Sequence, residues 1–228
     1  VRAATVPRPR SNYATVAAMK RLFLVLGAVV AMLTTPLDGG AFEEAHRDRL
    51  EAGGACAGCD LSGASLWWSD LHGANLAGAN LRGASLWWSD LFGADLSRAD
   101  LREASLWWAD LSAANLNGAD LGWAELGRAL AHGASLVGAL LANAQMTGAR
   151  LGQANLEKAD LRRANMLQAV LPRAGLRGAD MREANLHLAD LREADLSGVD
   201  LRRAAVTRAN FGGANLNNAD LRQANLSE

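Results

Sequence analysis

Apolar residues in this chain fall on a period of five. From residue 61 to residue 226, every position whose number ends in 1 or 6 is Leu, except Ala131, Met146, Met166, Met181, Val206 and Phe211. Two residues before each of these, from 64 to 224, stands Ala, except at Ser69, Ser89 and Val199. The register never slips. Such a period is not helical: five residues at about 100° each advance about 140° past a full turn, so the leucines would spiral and form no stripe. It is not a plain strand either, because an odd period puts successive leucines on opposite faces. The pattern fits a chain that bends once per five residues, each segment turning one Leu and one Ala into a shared interior. Four such sides close a square coil of about 20 residues.

A narrow tube cannot hold two large residues per side, so Leu fills it and Ala leaves room. Each buried Leu contributes about 2 kcal/mol. Backbone groups pair with the coils above and below at roughly 4.8 Å. One coil buries little alone, so stability comes from stacking. About eight coils make a rod on the order of 40 Å long.

Segments such as Ala79-Asn80-Leu81-Arg82-Gly83, Ala159-Asp160-Leu161-Arg162-Arg163 and Ala219-Asp220-Leu221-Arg222-Gln223 resemble the A(D/N)LXX unit of the pentapeptide-repeat family, and the likeness covers residues 60–228. The resemblance implies an all-β fold, a right-handed four-sided parallel β-helix with Ala and Leu inward and the other three positions outward. It implies little about function. The best understood members are cytoplasmic DNA mimics that protect DNA gyrase, and fold does not decide function. Between Glu125 and Gln145 the pattern weakens: Ala131 takes a Leu slot, and Leu130 and Leu140 stand where Asp or Asn is usual. A thinner or bent coil is expected there, not a domain boundary.

The N-terminal region reads differently. Met19-Lys20-Arg21, the apolar run Leu22–Leu33, Pro36 and the small residues Gly39 and Ala41 describe a secretory signal. An uncleaved anchor and a buried helix are the alternatives, and the run falls short of the about 20 residues of a membrane span. On this reading residues 1–41 are a leader, with Met19 as a candidate start and 1–18 untranslated. Residues 42–55, rich in charge and ending near Gly53-Gly54, are expected to form a short capping helix, and 56–228 the repeat body. The protein is then periplasmic or secreted, with no transmembrane span in the mature chain. No second capping helix follows Leu226, so a tail-to-tail homodimer is one way to cover that end.

Formal net charge is −1. Without Arg2, Arg8, Arg10, Lys20, Arg21 and Asp38, residues 42–228 are mildly acidic, with no Lys/Arg-rich run. Nucleic-acid binding needs a basic stripe and is not expected. Cys56 and Cys59 fall on inward slots of the first coil; core residues or a structural disulfide are the plain readings, a redox pair the alternative. No second Cys pair exists to complete a zinc site, and His46, His72, His132 and His187 are scattered. Neither metal, cofactor nor catalytic residue is expected, and the chain is read as no enzyme.

Outward columns carry more. Residues 20 apart stack on successive coils. Arg82, Arg102, Arg162, Arg182, Arg202 and Arg222 share one column, beside Asp60, Asp100, Asp120, Asp160, Asp180, Asp200 and Asp220. This is expected to be an ion-pair ladder, with an anion dock as the functional alternative. Trp67-Trp68, Trp87-Trp88 and Trp107-Trp108 should form two neighbouring outward columns with rings about 5 Å apart; Trp123 lies one side earlier. The readings of this patch are cover by the segment around Phe42–Leu50, homodimerisation, or a dock for glycan, lipid surface or protein. The sequence therefore points to an exported binding or scaffold solenoid, with a DNA-mimic topoisomerase modulator as the alternative.

Overall fold

The computed structural model describes residue 50 and residues 55–226, all within one compact unit, Gly40–Glu228. The chain turns one corner every five residues. Parallel bridges join each coil to the next at a constant offset of twenty, from Ala55↔Asn75 to Ala205↔Asn225. This is a four-sided parallel β-helix. We number its sides by their inward columns: side 1 holds Leu61, Leu81 and Leu101, side 2 Leu66, Leu86 and Leu106, side 3 Leu71, Leu91 and Leu111, and side 4 Cys56, Leu76 and Leu96, all buried. The Ala column packs between them, also buried.

One repeat shows why the unit has this sequence. In Asn80–Ala84, the N–H of Asn80 donates to the Cys59 carbonyl (2.9 Å), Leu81 to Asp100 (2.7 Å), Gly83 to Arg102 (2.9 Å) and Ala84 to Leu81 (3.0 Å). The remaining N–H, of Arg82, donates to the side-chain Oδ1 of Asn80 at 3.2 Å. Four donors are satisfied by backbone and the fifth by the Asp or Asn before the core Leu, so no backbone donor of the repeat is orphaned. The same bond recurs from Ser62 to Asp60, Phe92 to Asp90, Arg102 to Asp100 and Arg162 to Asp160. At Val170-Leu171-Pro172 the Asx acceptor is missing, but Pro172 has no N–H to satisfy, and its ring presets the φ of that turn position.

The turn demands a left-handed residue. The second residue after the inward Leu has φ near +60°, whether Gly or not, as the third position of a type II turn requires. No Val, Ile or Thr occupies any of these positions, since a β-branched side chain there is strongly strained.

The weak stretch 125–145 keeps its register: Glu125↔Gln145 and Leu130↔Arg150 bridge normally, and Ala131 is buried in the Leu slot. Ser89 sits in an Ala slot because its hydroxyl donates to the Leu86 carbonyl. The repeat body begins at Ala55, which pairs with Asn75. Of the expected cap over 42–55, only Leu50, helical and buried against the core, and Ala55 are described; the rest of it and the expected leader over 1–41 lie outside the described residues. Among the described residues no helix is long and apolar enough to cross a membrane.

A backbone test follows from the turn. Gly78 has φ +65° with nothing within 4 Å of an added Cβ. Gly78→Val should therefore cost about 1–2 kcal/mol from conformation alone, and Gly78→Asn clearly less. Urea denaturation followed by circular dichroism measures both; equal midpoints for the two variants would contradict the left-handed requirement.

Candidate functional site

Side 2 carries the aromatic residues outward. Leu66, Leu86 and Leu106 take the inward slots, which leaves Trp67, Trp87 and Trp107 on the first turn position and Trp68, Trp88 and Trp108 on the left-handed one. Coil stacking then brings the rings together. Trp68 and Trp88 stack at 5.2 Å and 7°, Trp88 and Trp108 at 5.1 Å and 9°, Trp67 and Trp87 at 5.6 Å and 17°. Trp87, Trp88 and Trp107 stay 39–40 % exposed, while Trp67, Trp68 and Trp108 are half-buried. Trp123, on side 1, stands apart and is 64 % exposed.

The next coil ends the band with two residues that the sequence pattern did not single out. The Arg128 guanidinium lies 5.0 Å over the Trp108 ring, a cation–π contact that closes the second column. A Cβ at Gly127 would stand 2.6 Å from three atoms of the Trp107 six-membered ring, so that ring rests its face on the Gly127 backbone and only glycine leaves it room. On side 3, His72 and Phe92 stack at 5.2 Å and 6°, extending the aromatic surface around the corner. The sequence reading did not single out this pair.

The Arg column does a different job. Arg102 grips Asp100 with two donors, and the same fork joins Arg162 to Asp160, Arg182 to Asp180, Arg202 to Asp200 and Arg222 to Asp220. Each Arg but the last also reaches the Asp one coil on, as Arg182 reaches Asp200 at 3.6 Å. Arg82 departs from this, pairing with Glu103 at 2.7 Å, because Asn80 offers no carboxylate. The guanidinium forks hold the Asp100, Asp160 and Asp200 carboxyls below the usual range, and Asp220 at about 2. Forks committed to carboxylates are poorly placed to hold a free anion. The groove along this column, lined by Arg182, Glu183, Arg202, Arg203, Arg222 and Gln223, carries its own counter-charges.

Cys56 and Cys59 form a disulfide and occupy the Leu and Ala slots of the first side-4 segment, both buried. Among the described residues no group of three or more His, Cys, Asp or Glu could hold a metal ion. His72 and His132 lie three coils apart.

Eight copies of the pentapeptide repeat pattern match the chain, over residues 59–98, 89–128, 124–163, 150–187, 171–205 and 207–228. The chain belongs to the pentapeptide repeat family. Among solved structures, it is 32 % identical to HetL, a pentapeptide repeat protein involved in heterocyst differentiation regulation from the cyanobacterium Nostoc sp. strain PCC 7120, covering 78 % of this chain and 92 % of that one with a TM-score of 0.39. It is 21 % identical to a trypsin-treated variant of QnrB1, a plasmid-mediated fluoroquinolone resistance protein, covering 70 % and 81 % with a TM-score of 0.59. A pentapeptide repeat protein of the Arabidopsis thaliana thylakoid lumen is 32 % identical, over 54 % of this chain and 77 % of that one, with a TM-score of 0.31. No curated protein matches. The QnrB1 likeness shows the shared fold alone.

The ladder makes stability depend on acid. Its carboxyls have depressed pKa values in the fold, so their stabilisation is complete above the unfolded value of about 3.9 and disappears as pH falls towards about 2. Thermal melts should be flat from neutral pH to about 4 and drop between about 4 and 2. High salt should shrink that drop, because the pairs are exposed. A melting temperature that rises as the pH is lowered through this acid window would contradict the pairing.

Proposed function

We propose that this pentapeptide repeat protein is a non-enzymatic binding and scaffold solenoid, exported to the periplasm or secreted, that engages its partner through the tryptophan band of side 2. The observation that carries this reading is the band itself: six indoles on consecutive coils outside the core, five of them stacked at 5.1–5.6 Å and Trp107 laid on Gly127. Each ring set on the left-handed position holds a bulky side chain in strained backbone, at φ 58–59°, where Gly costs nothing. A contiguous aromatic patch on a rod whose other apolar side chains are either buried or scattered supports docking. The segment Met19–Ala41 supports the exported address.

The competing reading, a DNA mimic acting on a topoisomerase, needs a continuous acidic face. The Asp column of side 1 is interleaved with Arg that neutralises it pair by pair, which weighs against mimicry.

The variant Trp67→Ser, Trp87→Ser, Trp107→Ser changes no inward slot, so its circular dichroism should match the parent and its stability should stay within about 1 kcal/mol. Immobilised parent and variant are then challenged with soluble and membrane fractions of the cell envelope. Retention by the parent and its loss in the folded variant is the expected result. Equal retention by both, or inhibition of gyrase supercoiling by the parent at micromolar concentration, would overturn the reading.

A further inference from the structure

Resting on the docking role just assigned to side 2, we propose that its occupant is the lipid–water interface of an uncharged, zwitterionic bilayer, entered edge-on by the tryptophan rings. Ring orientation narrows the partner first. Trp88 has Trp68 on one face at 5.2 Å and Trp108 on the other at 5.1 Å. Trp108 is covered in turn by Arg128 at 5.0 Å, and Trp107 lays its face on Gly127. Trp88 and Trp108 have both faces covered, and each of the other four rings has at least one, so what the centre of the band offers outward is ring edge. A sugar ring docks on an open aromatic face, which Trp88 and Trp108 lack.

Shape narrows it further. The band lies on the convex outside of a four-sided rod, and the groove of the Arg column, on side 1 near the other end of the rod, contains none of its residues. A convex ridge cannot enclose a small ligand, but it can enter a fluid phase that moulds to it. A second copy is a weaker occupant on area. Six indoles that expose about a third of their surface present on the order of 500 Å² together, short of the roughly 800 Å² that each partner contributes to a standard interface.

Chemistry then selects the lipid. Around the rings, the outward side-2 positions of the first three coils are Ser65, Ser85 and Ser105, and the next coil adds one charge of each sign, Glu125 on Ser105 and Arg128 on Trp108. Indole has an apolar body and one N–H donor, the combination that settles at the bilayer–water boundary. Asp70 and Asp90 stand exposed at the rim on side 3, with Asp110 continuing the column, and would repel an anionic leaflet.

The experiment uses the full chain and vesicles of phosphatidylcholine with bromine on the acyl chains. All seven tryptophans lie between 67 and 123, so their fluorescence reports on the solenoid even if Leu22–Leu33 enters the same bilayer. The expected result is blue-shifted, bromine-quenched emission that is unchanged between about 0.15 and 1 M salt and no stronger when phosphatidylserine is added. In the variant Trp68→Gly, Trp88→Gly, Trp108→Gly, the new residue is the one the left-handed turn prefers, so folding is not at risk. Its quenching by the vesicles should fall at least about tenfold at equal lipid. Vesicle binding without quenching, or binding that requires phosphatidylserine and fails in high salt, overturns the lipid assignment. If quenching is absent while sedimentation finds a dimer that the glycine variant does not form, the lipid assignment falls and the docking face stands with another occupant. No quenching, no dimer and no loss of envelope binding in the serine variant sinks both.

Discussion

Everything in this fold depends on returning the chain to the same direction once per twenty residues while backbone carbonyls of the turn and the neighbouring coils take most of the N–H groups. The turn does this with one left-handed residue, and the coil offset of twenty aligns the bridges. The fifth donor is met by the Asp or Asn before the core Leu wherever one stands there, and at Val137 by Asn117 of the neighbouring coil. The A(D/N)LXX unit is therefore a statement about hydrogen bonds as much as burial: Ala and Leu fill the tube, Asp or Asn closes the turn, and the last position must tolerate positive φ. Because each coil is satisfied only by its neighbours, local exceptions are absorbed locally. Ser89 supplies its own bond and Pro172 removes the need for one.

That economy frees the outward positions. Two of them per side point to solvent without a structural duty, and whatever stands there repeats into columns at the coil spacing. Charges of opposite sign in adjacent columns become the Arg–Asp ladder of side 1. Aromatic residues become the stacked band of side 2. The same geometry that makes a ladder of indoles also occupies their faces, so a column of aromatics on this scaffold exposes edges. Function on such a rod is written along one side, and the sides can differ: side 1 holds its charges in pairs, while the opening coils of side 2 hold none.

Most of the fold was legible because one rule repeats without slipping from Leu61 to Leu226. The inward slots, the bridge offset and the outward placement of the six tryptophans all follow from counting by five. The Arg–Asp pairing was legible too, since both columns share a side, although Arg82 turned to Glu103 once Asn80 removed its carboxylate. Other features were not legible. That Trp107 tips onto Gly127, or that Arg128 caps Trp108, depends on rotamers chosen by close packing between coils, and a glycine in an outward slot looks like any other repeat residue. The edge-on presentation of the rings likewise appears only when the interplanar angles are known.

The account stands on a hydrogen-bond pattern with a period of five, and residue-resolved amide hydrogen exchange reads that pattern directly. In each repeat that sets Asp or Asn before the core Leu, the N–H after that Leu is held only by a side chain, as at Arg82, Phe92, Arg102 and Arg162. Its neighbours, such as Leu81, Gly83 and Ala84, are held by backbone carbonyls. Exchange should therefore show one fast amide recurring every fifth residue along the described coils, flanked by protected ones. Protection without that period, or fast exchange centred on the inward leucines, would contradict it.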